Sequence, residues 1–254
     1  MTVQDRLRLL IRPGPQAVAD VVAALLLAAL QRGAVLGLAT GRTMQPVYGA
    51  LCARIASLEA PQRAALTAGW RSFNLDEYVG LGPQDPQSFV ACMNQALAVP
   101  LGLAPGRLQL PDGLAADPAA EAERYSRLVA AAGGIDLQLL GLGSNGHIGF
   151  NEPPCPPDAP CRCLQLSPAT RQQNAAAFGG LADAVPGRAI TLGTLDILAA
   201  RQVLLVVTGS AKATILRRTL EEPPGPEVPA SWLQNHPGLQ VIVDDAAASA
   251  LQLR

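Results

Sequence analysis

The chain is expected to form an α/β fold, a single three-layer α/β/α sandwich on a Rossmann-like, mostly parallel sheet. Three observations carry this. Short apolar runs alternate with longer amphipathic stretches, as strands alternate with covering helices. The runs at 135–140 and 202–208 are almost continuously apolar, which suits strands buried on both faces. Turns rich in glycine, hydroxyl or charged residues follow four of the runs, where an open parallel sheet places its ligands.

In chain order, residues 6–11 read as a strand, 15–32 as a helix opened by a proline, and 34–39 as a strand. A helix is expected over 43–58, a strand over 70–75, and helices over 86–97 and 117–132. A strand follows at 135–140, then a short helix at 193–199 and a strand at 202–208. A helix over 210–220 and a strand over 240–243 complete the series. The proline-rich stretches 153–163 and 221–229 read as loops. No internal repeat is visible, and a length of 254 residues suffices for one full core. The reading is therefore one domain over 1–254, with 153–188 as a lid-like segment directly after the most glycine-rich turn.

Composition narrows the function. A net charge of −1 without a basic cluster argues against nucleic acid as a partner. The longest apolar stretch, 21–30, is too short for a bilayer and follows Asp20. No basic segment precedes a cleavage-like site near Met1, so a signal peptide is not expected. Cys52 and Cys92 lie in apolar helical contexts, which with an odd total of five cysteines suggests reduced thiols and a cytoplasmic location. Cys155, Cys161 and Cys163 share a loop with Asp158, but no second ligand pair exists elsewhere, so no metal is expected. No cofactor motif is present. Oligomeric state is left open between monomer and homo-oligomer.

The chemistry concentrates in the four turns. Gly141-Leu142-Gly143-Ser144-Asn145-Gly146-His147-Ile148-Gly149-Phe150-Asn151-Glu152-Pro153 holds one of two histidines, with a glutamate five residues on. Such a histidine can exchange protons near neutral pH, and the carboxylate can orient it. The same run also fits a glycine-rich junction with an incidental histidine. Thr40-Gly41-Arg42-Thr43 and Gly209-Ser210-Ala211-Lys212 each offer backbone N–H groups, hydroxyls and a cation at a helix start, which suits phosphate. Threonine or serine there also serves as a plain N-cap. Lys212 is the only lysine among nineteen basic residues. Asp76 follows the strand at 70–75, a position equally suited to a turn aspartate.

These segments resemble the glucosamine-6-phosphate deaminase family. The signature run matches the family's GxGxxGHIxFNEP. The stretch 73–81 looks like its base-bearing segment, 36–43 like its phosphate loop, and 208–213 like its second phosphate-side turn. The likeness spans about 35–244. It implies ring opening, isomerisation and deamination of glucosamine 6-phosphate to fructose 6-phosphate and ammonia, without metal or cofactor. It assigns His147 to ring opening, Glu152 to holding its tautomer, Asp76 to the C2 proton, and Asn145 to a place beside the histidine. Thr40, Gly41, Arg42, Thr43, Gly143 and Lys212 fall at substrate and phosphate positions. Asn145 replaces the aspartate of some members and cannot stabilise an imidazolium by charge. Ala176 stands where a lid arginine reaches the phosphate, while Arg42 stands where a small residue is usual, so a relocated guanidinium is inferred; the alternative is a substrate that differs in stereochemistry or at C6. Arg162 matches one residue of an allosteric pocket and Leu164 does not, so no such activation is expected. The rivals are a galactosamine-6-phosphate deaminase, a 6-phosphogluconolactonase, against which Glu152 counts, and a sugar-phosphate sensor, for whose DNA-binding helices the segment before Pro15 leaves no room.

Overall fold

A computed structural model describes residues 8–252. Its strands are β1 Arg8–Arg12, β2 Leu36–Leu38, β3 Ser72–Asn74, β4 Asp76–Tyr78, β5 Leu108–Gln109, β6 Leu137–Leu140, β7 Arg162–Gln165, β8 Arg188–Thr191, β9 Gln202–Val207 and β10 Leu239–Asp244. Its α-helices are α1 Pro15–Gln31, α2 Met44–Ala56, α3 Ala60–Ala68, α4 Phe89–Met93, α5 Val99–Leu101, α6 Pro118–Ala131, α7 Pro168–Asn174, α8 Thr194–Leu198, α9 Ala213–Glu221 and α10 Asp245–Ala248.

Seven strands form a parallel sheet in the order β1-β10-β9-β6-β2-β3-β5. Its centre is apolar on both faces: Val203 to Val207 of β9, all of β6, and Val241 to Asp244 of β10 are buried. Each buried leucine or valine contributes about 1.5–3 kcal/mol. Helix α1 packs with α2 and against β1, β2, β9 and β10. It ends at Gly33, whose positive φ lets the Ala34 N–H return to the Ala29 carbonyl. Helix α6 meets the sheet through Tyr125, set edge-on to Phe73 at 6.0 Å between centroids. Gly37 in β2 is also a packing requirement, since a Cβ there would lie 2.1 Å from Oε1 of Gln138 on the neighbouring β6.

The expected helices and sheet strands are present with shifted ends. Arg6 and Leu7 of the first expected strand lie outside the described residues. The helix expected from 86 starts at Phe89, because Ser88 caps it by accepting the Ala91 N–H, and it passes through a π-helical turn at Asn94–Ala98. The helix expected over 210–220 opens with a 3₁₀ turn, Ser210–Lys212, before α9 begins. Helix α3 and strand β5 are additional elements.

The largest difference is a second sheet, antiparallel, in the order β4-β8-β7. It places Asp76 in a strand opposite Thr191 and not in a turn. It also takes Arg162 and Cys163 out of the expected loop and into β7. Between β7 and β8 runs the stretch containing α7. This stretch has its own small core, in which Leu166 and Val185 pack with Tyr78, Phe150 and Ala189, flanked by Phe178 and Phe89.

Candidate active site

Strands β9, β6, β2 and β3 are consecutive neighbours, so the turns after them share one edge of the sheet. Three strand spacings separate the outer two, about 14 Å. Along that edge stand Lys212, the His147 loop, Arg42 and Asp76, in that order.

The His147 loop is a tight turn in which Gly143 and His147 face each other. The Gly143 N–H donates to the His147 carbonyl at 2.9 Å, and the Gly146 N–H to the Gly143 carbonyl at 3.1 Å. The imidazole lies flat over Gly143, where a Cβ would stand 2.4 Å from Cγ, Cδ2 and Cε1 of the ring. Gly146 combines a φ of 87° with close packing on Val228 and Ile215, and its carbonyl accepts the Ala230 N–H. Nδ1 of His147 is buried and has no hydrogen-bond partner among the described residues. Burial pulls the imidazole down to about 4, against the pull of Glu152 and with a further push from Lys212. The ring is therefore neutral at pH 7, free to accept a proton at one nitrogen and donate from the other.

Two expected partners of the ring do otherwise. The Asn145 side chain accepts the His147 backbone N–H at 3.3 Å, so it shapes the turn and does not touch the imidazole. Glu152 does not hydrogen-bond the imidazole either. Its carboxylate accepts the Ser167 N–H at 2.9 Å, the Ser167 hydroxyl at 2.6 Å and the Thr170 hydroxyl. It thus anchors the start of α7 and reaches His147 by charge alone. Ser167 and Thr170 therefore join the candidate site as the partners of Glu152, roles that the sequence alone did not assign. The signal was present: Ser167 before Pro168 is an N-cap pattern, and Ser167 does cap α7. A second tie crosses from the loop to α7, the Ser144 hydroxyl to Gln173 Oε1 at 2.5 Å, and Asn174 donates to the Tyr78 hydroxyl at 3.0 Å.

Asp76 is 5% exposed. Its Oδ2 lies 3.5 Å from where a Cβ on Gly149 would stand, and the Thr191 hydroxyl lies 3.0 Å from the same point. The Gly149 turn is fixed by Asn151, which donates to the Ile148 and Leu192 carbonyls at 2.9 Å each. Asn151 in turn accepts from Arg162 at 2.9 Å, so Arg162 is a structural tie behind the site. Glu77 turns the other way and accepts the N–H groups of Tyr78, Phe89 and Val90. Burial, and then the neighbouring Glu77, push Asp76 up to about 8. Asn74, two residues upstream at the end of β3, has both amide atoms buried without a partner among the described residues.

The cations are carried by two turns, one on either side of the His147 loop. Gly41 takes a φ of 120° and Gly209 one of 88°, conformations that favour glycine. The Gly209 N–H is held by the Asp244 carboxylate at 3.0 Å. Thr43 stands at the N-cap of α2 yet makes no side-chain cap hydrogen bond, so its hydroxyl is free for a ligand. Arg42 is exposed and Lys212 partly buried, and neither is in an ion pair among the described residues. Burial lowers the Lys212 ammonium, and so does Arg42, which places the two cations within mutual electrostatic reach. Thr40, partly exposed, sits between β2 and Gly41. Arg171, the arginine of α7, is turned away: it donates to the Val185 carbonyl and pairs with Asp183. Ala176 is exposed on the following turn.

The second histidine, His236, is structural, with its ring between the Ala200 carbonyl and the Gly238 N–H. All five cysteines are free, and no His/Cys/Asp/Glu group among the described residues has metal-binding geometry. No helix among the described residues is long and apolar enough to cross a membrane.

The family model for glucosamine-6-phosphate isomerases/6-phosphogluconolactonase matches residues 15–242. A glucosamine-6-phosphate deaminase of Geobacillus sp. (strain WCH70) is 44% identical over 85% of this chain and 83% of its own length. A solved monomeric glucosamine-6-phosphate deaminase superposes with a TM-score of 0.89 at 35% identity, covering 96% of this chain and 99% of that one. A 6-phosphogluconolactonase from Trypanosoma cruzi superposes with a TM-score of 0.76 at 20% identity, over 96% and 97% of the two chains, a likeness of fold. The chain belongs to the glucosamine-6-phosphate isomerase/6-phosphogluconolactonase family.

Proposed function

We propose that this protein is a glucosamine-6-phosphate deaminase, converting glucosamine 6-phosphate and water to fructose 6-phosphate and ammonia. The observation that carries the reading is the gathering of groups along one sheet edge: a neutral buried imidazole in the turn between two cation-bearing turns, and a buried carboxylate at the far end. A sugar phosphate laid along that edge meets Arg42, Lys212, the Thr40 and Thr43 hydroxyls and the Gly41 backbone at its phosphate. Its ring meets His147, and its C2 meets Asp76.

The neutral His147 takes the proton of the anomeric hydroxyl and returns one to the ring oxygen, which opens the pyranose. Asp76 then removes the C2 proton of the open aldehyde, and a proton is returned at C1. The C2 imine so formed adds water and loses ammonia. Glu152 stabilises the imidazolium phase of the shuttle from its anchored position, and Gly143 gives the ring its seat. The stretch around α7, tied to the site through Glu152, Gln173 and Asn174, serves as the lid. The catalytic groups are all side chains of this chain, so the monomer carries a full set. Five free thiols fit a cytoplasmic setting.

The fold itself also serves lactonases, so the assay must separate the chemistries. Glucosamine 6-phosphate, galactosamine 6-phosphate, glucose 6-phosphate and 6-phosphogluconolactone are offered separately, with ammonia and acid release measured. Ammonia from glucosamine 6-phosphate at the highest kcat/KM supports the proposal. Preference for galactosamine 6-phosphate, or lactone hydrolysis without ammonia, overturns it.

A further inference from the structure

The acidic end of the site contains two adjacent buried carboxylates, with no basic partner among the described residues. Asp76 is 5% exposed and Glu77 0%, and neither enters an ion pair among those residues. Glu77 is locked by three N–H donors, two of them from the start of α4, and such donors favour the anion. Burial raises Glu77 overall and the three donors work against that rise, holding the carboxylate beside Asp76, where its charge pushes Asp76 up.

The groups that face Asp76 from the surrounding elements are phenols, amides and hydroxyls. Tyr48 of α2, Tyr78 of β4 and Tyr125 of α6 all feel its charge, and burial raises all three phenols, which stay neutral. Thr191 of β8 and Asn151 of the His147 loop add a hydroxyl and an amide. Arg162 of β7 lies beyond Asn151, its guanidinium engaged by the Asn151 carbonyl, the Pro160 carbonyl and the Cys155 sulfur. Arg188 is exposed at the opposite end of β8. Asp85 and Cys92 face Glu77 and add no positive charge.

We infer that this acidic pair reads the charge of the substrate: Asp76 takes its working, ionised form only when the C2 ammonium of an amino sugar lies beside it, and Glu77 enforces that dependence as a fixed buried charge. The inference rests on the deaminase reading above. In the free protein Asp76 sits at about 8 and keeps its proton at pH 7. A bound ammonium replaces that proton as the counter-charge. The carboxyl O–H proton leaves to solvent, the ligand keeps its own, and the site gains one carboxylate against one ammonium. A neutral 6-phospho sugar supplies no such charge, leaves Asp76 protonated, and finds no base. Glu77 is thus a positioning residue that acts through Asp76 and never touches substrate.

Calorimetry on the intact protein tests this with two open-chain, unreactive probes, 2-amino-2-deoxyglucitol 6-phosphate and glucitol 6-phosphate. Both are titrated from about pH 6 to about pH 9 in buffers of different ionisation enthalpy, so that protons released are counted. Phosphate protonation is common to both probes and cancels in the difference. The amine should bind at least about tenfold tighter near pH 7, the smallest effect expected of an adjacent opposite charge. It should release close to one proton more than glucitol 6-phosphate, with the excess fading above pH 8. Glu77→Gln should move that midpoint below 8 and shrink the amine preference, with glucitol 6-phosphate affinity held within about twofold. Glu77→Asp, which keeps the charge, should hold the midpoint, and it decides the role of Glu77 if the glutamine variant fails to fold. Equal affinities, or amine binding without excess proton release, overturn the inference while leaving the deaminase reading standing. Binding of neither probe overturns both. An unmoved midpoint in Glu77→Gln removes Glu77 from the role.

Discussion

Replacing Gly143 by alanine puts a methyl group where the face of His147 now rests. The added Cβ would stand 2.4 Å from Cγ, Cδ2 and Cε1, whereas ordinary contact begins at 3.4 Å. The ring must therefore retreat by about 1 Å, the difference of the two, since the methyl group meets the middle of the ring and not a flexible end. Gly143 is not among the glycines with positive φ, so alanine fits its backbone and the strain falls on the ring. Misplacing a proton-transfer group by about 1 Å costs on the order of 10²-fold in rate. The overpacking itself costs about 1–3 kcal/mol of stability. The assay is kcat of Gly143→Ala on glucosamine 6-phosphate and on an analogue that cannot cyclise, with thermal unfolding in parallel. Turnover of the cyclic substrate should fall by about 10²-fold and that of the open analogue much less. A folded variant with kcat within about twofold of the parent on the cyclic substrate would refute the seating of His147 on Gly143 as a requirement for ring opening.

Arg42→Ala should weaken binding of the phosphorylated substrate by about 1.5–3 kcal/mol, the scale of a charged hydrogen bond, and arginine at Ala176 in that variant should restore part of the loss. A KM change within about twofold would instead make Arg42 a bystander. Asp76→Asn should lower kcat by about 10²–10⁴-fold. The same variant should be more stable than the parent at pH 7. The folded state holds the Asp76 proton up to about 8 while the unfolded chain releases it near 3.8, so stability from this group falls as pH rises between those values. Urea unfolding at pH 4 and pH 7 measures this, and a gain confined to pH 4 would contradict it. In the wild type, kcat/KM should rise with pH up to about 8 as the free enzyme ionises Asp76, while the kcat limb lies lower because bound ammonium favours the carboxylate. Coincident limbs in the two profiles would contradict that difference.

The parallel sheet was legible because burial on both faces leaves largely apolar runs, as in 203–207 and 137–140. The turns after β2, β6 and β9 were legible for the related reason that glycines, hydroxyls and cations gather there. The small antiparallel sheet was not. Asp76-Glu77-Tyr78 and Arg162-Cys163-Leu164-Gln165 show no clean alternation, and their pairing through Thr191 and Ala189 is set by contacts distant in sequence. Helix α3 escaped because it buries a single side chain, Leu66, and so carries almost no apolar face. The candidate residues do stand along one sheet edge, but their hydrogen-bond partners differ from those expected. Nothing local in Glu152 says that its carboxylate will be taken by Ser167 and Thr170, which lie fifteen and eighteen residues away. Nor does Asn145 announce that it will cap its own turn and leave the imidazole alone.

The central claim is that Asp76 takes the C2 proton of an amino-sugar phosphate held along this edge. The most direct measurement uses glucosamine 6-phosphate carrying deuterium at C2, with loss of the label and formation of fructose 6-phosphate followed together in the wild type and in Asp76→Asn. The expected result is slower turnover of the labelled sugar by the wild type, and loss of label from C2 lowered about 10²–10⁴-fold in a folded variant that still binds 2-amino-2-deoxyglucitol 6-phosphate. Label lost from C2 at the wild-type rate in that variant would contradict the claim.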